Sequence, residues 1–302
     1  MKKRILLGAL LAFTLGFSTI SCSSEDSKED KTVIVNPGDG TNPGDGTNPG
    51  TGSTTAKYQH KVLIEDATGT WCQYCPRVAY AIEKAKENAS HGSKVVAVAI
   101  HKGVQGYPDP MQIPAGVTLD GMFYQSFGLT GYPFGLINRT SKWSSPENNN
   151  LAQVFNAINQ QGSPVGIKIE SSLTTTGGTI SASFSFSEGY KNLKYSVYVL
   201  ENNVVTPQSP QSNSVGFYGG QGANFVHNDV LRAVSGTATG NTLGNVSPGN
   251  VITKSEQTVN YTLFNNDLSK VEVVVFVTNA AGKVLNVQSA HANQTVDYQV
   301  IN

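Results

Sequence analysis

The sequence predicts two folded parts in series, an α/β domain over residues 58–162 and an all-β antiparallel sandwich over residues 163–302. Three observations predict this. Residues 61–67 and 94–100 are apolar, strand-like runs flanking a stretch with helical apolar spacing, the order strand, helix, strand. A Cys-x-x-Cys, Cys72-Gln73-Tyr74-Cys75, sits where the first run gives way to the helix. From Ser163 onward short β-rich runs alternate with Gly, Asn and Ser turns.

Ahead of the folded part, Lys2, Lys3 and Arg4 precede an apolar run over residues 5–20, and Ser21-Cys22 follows. A basic start and a short apolar run make a secretory signal rather than a membrane span. A cysteine directly after a small residue resembles the signal of bacterial lipoproteins. That resemblance implies removal of residues 1–21 and lipidation of Cys22, which anchors the chain to a membrane. Losing the three basic residues takes the formal charge from zero to about minus three. Ser23-Ser24-Glu25-Asp26-Ser27-Lys28-Glu29-Asp30 resembles the acidic tethers of some surface lipoproteins, and residues 36–52 repeat Asn-Pro-Gly-Asp-Gly-Thr twice before a third partial copy. Glycine and proline at that density bury no core, so residues 22–57 read as a disordered spacer.

The folded part opens with the strand at 61–67 and a loop over 68–71. A helix over 77–90 follows, with Val78, Ile82, Ala85 and Ala89 on one face. Residues 94–100 are apolar without alternation, as in a strand buried on both faces. After a Gly/Pro-rich excursion, residues 117–127 read as a helix, 134–138 as a short strand and 147–161 as a helix bearing Leu151, Val154, Phe155 and Ile158.

With Cys22 carrying lipid, the exported chain holds one closely spaced cysteine pair and so one disulfide. At a helix opening both sulfurs can meet. A thiolate at Cys72 would face first-turn amides, which lower a thiol pKa, and Pro76 begins the turn without losing a hydrogen bond. Arg77 is a further candidate to steady a thiolate.

A strand ending in Trp71-Cys72-x-x-Cys75, a helix, a second strand, and then Phe127-Gly128-Leu129-Thr130-Gly131-Tyr132-Pro133 before a third strand resembles the thioredoxin fold. The resemblance covers residues 58–162 and implies catalytic roles for Cys72 and Cys75. It also implies a cis-proline at Pro133, and substrate binding by Trp71, Tyr132 and Pro133. Asp66, six residues before Cys72, stands where that family keeps a buried acid that moves the second cysteine's proton. Glu65 is the alternative, since alternation turns only one of the two inward. Gln73-Tyr74 departs from the family's Gly-Pro, and its first strand and helix have no counterpart here.

In the tail, residues 165–171, 179–186, 193–200, 226–234, 258–264, 271–278 and 284–289 read as strands. Asn279-Ala280-Ala281-Gly282 reads as a hairpin turn, and residues 205–225 as a long loop. Seven such strands suggest an immunoglobulin-like sandwich. The whole arrangement of signal, spacer, Cys-x-x-Cys-Pro and a β-rich tail containing Val226-His227-Asn228-Asp229-Val230-Leu231-Arg232 resembles the outer-membrane-protein-28-related lipoproteins. It implies an outer-membrane location, on the periplasmic or the surface face.

Other chemistry is not signalled. Charge balance, 21 basic against 21 acidic, implies no nucleic-acid face. His60, His91, His101, His227 and His291 pair at no zinc spacing, so no metal is expected, and no nucleotide or dinucleotide motif calls for a cofactor. Two readings remain. One is a membrane-anchored thiol–disulfide oxidoreductase acting on cysteine-containing proteins of the cell envelope, recharged by a redox partner. The other is a surface lipoprotein whose sandwich binds a protein or glycan, the disulfide being inert.

Overall fold

The computed structural model of the chain describes residues 33–35, 57–209 and 222–301. The signal, Cys22 and most of the 22–57 spacer lie outside the described residues, as does the middle of the expected 205–225 loop.

The described chain begins with two short strands, β1 (Val33–Val35) and β2 (Lys57–Tyr58). Strand β3 (Val62–Thr68) and strand β4 (Val95–His101) pair in parallel and are joined through helix α1 (Pro76–Lys86). Val78, Ala81, Ile82 and Ala85 form the buried face of α1. The helix stops short of the expected residue 90 because the Asn88 side chain accepts the Ser90 and His91 amides, a local turn that competes with helix continuation. Helix α2 (Pro114–Ser126), strand β5 (Phe134–Ile137) and the short β6 (Ser141–Lys142) follow. Where one helix was expected over 147–161, a 3₁₀ turn (Glu147–Asn149) precedes α3 (Leu151–Asn156). Asn150 breaks the run by donating to the carbonyls of Ser144 and Pro146.

Eleven further strands fill the rest: β7 (Val165–Leu173), β8 (Gly177–Phe186), β9 (Tyr190–Glu201), β10 (Val204–Gln208), β11 (Gly222–His227), β12 (Val230–Val234), β13 (Asn241–Val246), β14 (Val251–Asn260), β15 (Val271–Thr278), β16 (Val284–His291) and β17 (Val300–Ile301). The single strand expected over 226–234 is two, because Asp229 takes a positive φ of 58° and turns the chain between them.

The fold class differs from the expectation. The chain is mostly β, with three α-helices among the described residues, and no α/β thioredoxin-like domain stands apart from a sandwich. Strands of both halves share one sheet, in the order β16-β15-β9-β12-β4-β3-β5-β6 with β13 on β9. The join is at β4: Ala99 stands beside Val230, and its amide donates to the Asp229 carbonyl at 2.8 Å. Physically, β4 is apolar on both faces, and its outer edge carries backbone groups that must be paired. Strand β12, from far downstream, begins to cover that edge. The described residues accordingly fall in one compact unit.

Three large packed clusters, and a small one of Met111, Val204 and Val230, hold this together. Ile167 and Phe184 of the β1-β14-β8-β7 sheet meet Val197, Val273 and Val275 of the large sheet, face to face, an arrangement compatible with the expected β-sandwich. A second cluster mixes the halves, with Leu63, Val98, Phe123 and Phe134 against Tyr198, Leu231 and Phe276. The third lies on the other face of β3 and β4, where Val62, Ile64 and Ala97 pack on Val78, Ile82 and Trp143. Each apolar side chain buried in these clusters stabilises by about 1.5–3 kcal/mol, so the mixed cluster binds the halves strongly.

Candidate functional site

Alternation along β3 decides which side chains reach the cysteines. Val62, Ile64 and Asp66 lie on the α1 face, whereas Leu63, Glu65 and Ala67 lie on the opposite one. Glu65 is fully buried there and takes both its bonds from Arg139, at 2.7 and 2.6 Å. Arg139 also donates to the Tyr198 hydroxyl and covers the Phe276 ring. Glu65 therefore belongs to a structural ion pair, away from the cysteines.

Asp66 has the opposite fate. It is 2% exposed, and its Oδ1 has no hydrogen-bond partner. Burial pushes its carboxyl well above the usual range, with the negative charges of Glu147 and Asp229 adding to the shift and Arg77 opposing it. It lines a small cleft of about 20 Å³, room for one water, whose walls include Cys75, Ala99, Gln208 and His227.

The cysteines are disulfide-bonded, Cα to Cα 5.4 Å. A turn closed by the Cys72 amide on the Gly69 carbonyl brings Cys72 up to the helix, which Cys75 caps and Pro76 starts. The amides of Arg77 and Val78 bond to the carbonyls of Tyr74 and Cys75, so these two first-turn donors are taken. Arg77 itself is committed to Glu147 through Nε at 2.5 Å. Cys72 and Cys75 are 5% and 2% exposed.

What covers them comes partly from the C-terminal half. Gln208, at the end of β10, donates from Nε2 to the Cys72 carbonyl at 2.7 Å and the Gly69 carbonyl at 3.2 Å. Next to it, the Ser209 amide reaches the Thr70 carbonyl at 2.7 Å. Together they strap the cysteine loop down.

The structure also brings Trp71, Tyr132 and Pro133 into one neighbourhood. The Trp71 indole donates to the Lys102 carbonyl at 2.8 Å and meets the Tyr132 ring edge-on, centroids 5.3 Å apart. Gly69 permits this, since a Cβ there would stand 2.5 Å from the Trp71 Nε1. The Tyr132 hydroxyl bonds one oxygen of Asp120 while Lys102 takes the other, and the Tyr132–Pro133 peptide is cis. Burial, then the bond to Asp120 and its charge, raise the Tyr132 hydroxyl's pKa.

Three residues that sequence reasoning did not place here complete the site. Asp109 accepts from the Thr70 amide at 2.7 Å, the Met111 amide at 2.8 Å and, at 2.9 Å, bonds His101 Nδ1. Burial pushes the Asp109 carboxyl up, but His101's bond and charge and the two amides outweigh it and hold it below the usual range. His227 packs edge-on against His101, centroids 5.2 Å apart. Burial and then His101 drive its imidazole down to about 3, against the raising effects of a Thr206 backbone bond and Asp109. The sequence signal for His227 was its Val-His-Asn-Asp motif, noticed only as a family mark.

Residues 120–296 match the model of the outer membrane protein Omp28 family. The chain belongs to this family. The matched part includes Tyr132, Pro133, Gln208 and His227 and begins beyond Cys75. Membership supports an outer-membrane location for this Omp28 protein. Among solved structures it is similar in fold to HBP35 of Porphyromonas gingivalis, at 21% identity and TM-score 0.58, over 78% of this chain and 76% of that one. A crystallised protein of Agrobacterium tumefaciens aligns at 14% identity and TM-score 0.50, over 80% and 98% of the two chains. No curated protein matches. Among the described residues of this Omp28 chain no helix is long and apolar enough to cross a membrane.

Proposed function

We propose that this Omp28-family protein is a thiol–disulfide exchange protein of the cell envelope, anchored by lipid on Cys22 and acting on cysteine-containing proteins through Cys72 and Cys75. One observation carries the reading: Asp66, a buried carboxyl without a hydrogen-bond partner, lines the cleft that reaches Cys75. Such a group costs stability, about 1–3 kcal/mol for its lost hydrogen bonding, and a merely structural disulfide has no use for it. In the exchange, a partner thiolate bonds to Cys72 Sγ, the disulfide breaks, and its electron pair leaves on Cys75 Sγ. Asp66 serves as the acid for that leaving sulfur, and Tyr132, Pro133 and Trp71 offer the surface beside it on which a partner chain lies. A second partner thiol then releases Cys72, and the partner departs as a disulfide.

The test is the reduction potential of the pair in the mature chain, read by alkylation after equilibration in thiol buffers. A value between about −120 and −270 mV supports exchange; a pair still oxidised below about −300 mV refutes it.

A second reading is favoured by a different observation. Both sulfurs are buried and the loop above them is strapped by Gln208. On that reading the disulfide is inert, and the β-rich half binds a protein or glycan at the outer membrane.

A further inference from the structure

The cleft beneath the disulfide holds a second polar atom with no bond to any protein group, His227 Nε2. His227 ends β11, in the C-terminal half, whereas Asp66 is on β3, so two parts of the chain distant in sequence each bring a residue with one unpartnered polar atom to the lining of the same space. Thr68, Gln208 and Asn228 line it too, which makes it polar enough to hold water between them. The two atoms are also complementary. The ring's bond to the Thr206 backbone favours a proton on its other nitrogen, leaving Nε2 as a lone pair. A neutral Asp66 carboxyl offers the proton.

Resting on the exchange reading above, we propose that His227 is a positioning residue that works with Asp66 as a proton relay to Cys75, through water in the cleft. When the disulfide is reduced, the departing Cys75 thiolate takes the proton of Asp66. The carboxylate so formed stands near an imidazole that was neutral, and its charge lets Nε2 accept a proton from solvent water. That proton then returns to Asp66. The balance is complete: a partner dithiol loses two electrons and two protons, one proton reaches Cys75 by the relay, and the other reaches Cys72 from bulk water. In the oxidising direction the relay runs backward and removes the Cys75 proton.

Around this pair the other charged groups are fixed in advance. Glu147, Arg77 and Asp229 act on Asp66, with Arg77 held by Glu147 and Asp229 held by Lys86 at 2.6 Å; Glu83 stands in the adjoining cleft. His101 and Asp109 act on His227 and are bonded to each other. His101 thus has its Nδ1 engaged, while Nε2 of His227 has no protein partner.

The experiment uses the full chain and dithiothreitol, which reduces a disulfide whether or not the protein turns over a protein substrate. Rates are measured from pH 6 to 9 for the wild type and for Asp66→Asn, His227→Asn and His227→Gln. Asparagine keeps a donor where Nδ1 stands and removes Nε2; glutamine keeps a polar atom near the Nε2 position. The expected result is a loss of about tenfold for Asp66→Asn, for His227→Asn and for His227→Gln, since an amide takes up no proton at these pH values, with loss of the same break in the pH profile in all three; a wild-type rate for His227→Gln overturns the relay. A wild-type rate and profile for His227→Asn, with Asp66→Asn slowed, overturns the relay. Imidazole ¹⁵N resonances of the oxidised chain give an arm free of any rate: the His227 Nε2 signal moves on Asp66→Asn if the two share the cleft water, and an unmoved signal overturns the relay. A chain that obeys these expectations yet reduces or oxidises no protein substrate sinks the exchange reading alone.

Discussion

Replacing Asp66 should make the protein more stable and less reactive. The free carboxyl in an unfolded chain titrates near 3.9, whereas in the fold burial and then Glu147 and Asp229 hold it well above that value. Between those two values the native state binds one proton more than the unfolded state. Stability is therefore full below about pH 3.9 and falls as pH rises, by about 1.4 kcal/mol per pH unit, until the folded carboxyl ionises. Asp66→Asn removes this loss. Its advantage over wild type should be near zero at pH 3.5, grow by that slope and then level off. Asp66→Leu, of the same branched shape, also removes the unpartnered oxygen and should add about 1–3 kcal/mol at every pH. Urea unfolding of the oxidised chain at pH 3.5, 5, 6.5 and 8 measures both. The difference between variant and wild type carries the result, because His227 tilts both curves alike. An advantage independent of pH, or one that grows toward acid, would refute the reasoning.

His227 supplies the opposing tilt: its imidazole is held down to about 3 while an unfolded one titrates near 6.5. Stability should thus be complete above about pH 6.5 and fall toward pH 3, and His227→Asn should flatten that acid limb in the same urea series. Arg139→Ala leaves Glu65 as an unpaired charge at zero exposure, and a loss of about 3–5 kcal/mol is expected; a loss under about 1 kcal/mol would show the pair to be dispensable. Gln208→Ala cuts the strap's two bonds to the cysteine loop, worth about 1–2 kcal/mol together, so glutathione should reduce the disulfide about fivefold faster or more. An unchanged rate would mean that the strap does not guard Cys72. Gly69→Ala drives a methyl into the Trp71 indole and should cost about 1–3 kcal/mol and red-shift tryptophan emission; unaltered emission would argue against the close approach.

Local pattern made much of this legible. The apolar runs at 61–67 and 94–100, the helix after Cys75 and the hairpin at Asn279 all stand in the structure near where the sequence put them, and the cis Tyr132–Pro133 peptide is the one that the family resemblance implied. Alternation left Asp66 and Glu65 as equals, and only the position of Arg139 on the opposite face separates them. What pattern could not give was pairing. The apolar face of a strand records that it is buried, not which strand lies beside it, so nothing in residues 95–101 announced Val230 as a neighbour. For the same reason the expected independent domain dissolved into a shared sheet. His227, His101 and Asp109 were likewise unreadable as a group, since their meeting depends on that sheet.

A strand that waits for a neighbour more than a hundred residues downstream also sets an order of events. A chain emerging N-terminus first presents Cys72 and Cys75 long before Gln208 or Val230 exists outside. During that interval β4 is an open edge and the cysteines are accessible to any oxidant, whereas afterward both are covered. Non-local pairing of this kind is slow to form, which lengthens the interval. The disulfide can thus close on an unfinished protein, and a fragment ending near residue 162 should remain in that unfinished state, sticky at β4 and open at its sulfurs.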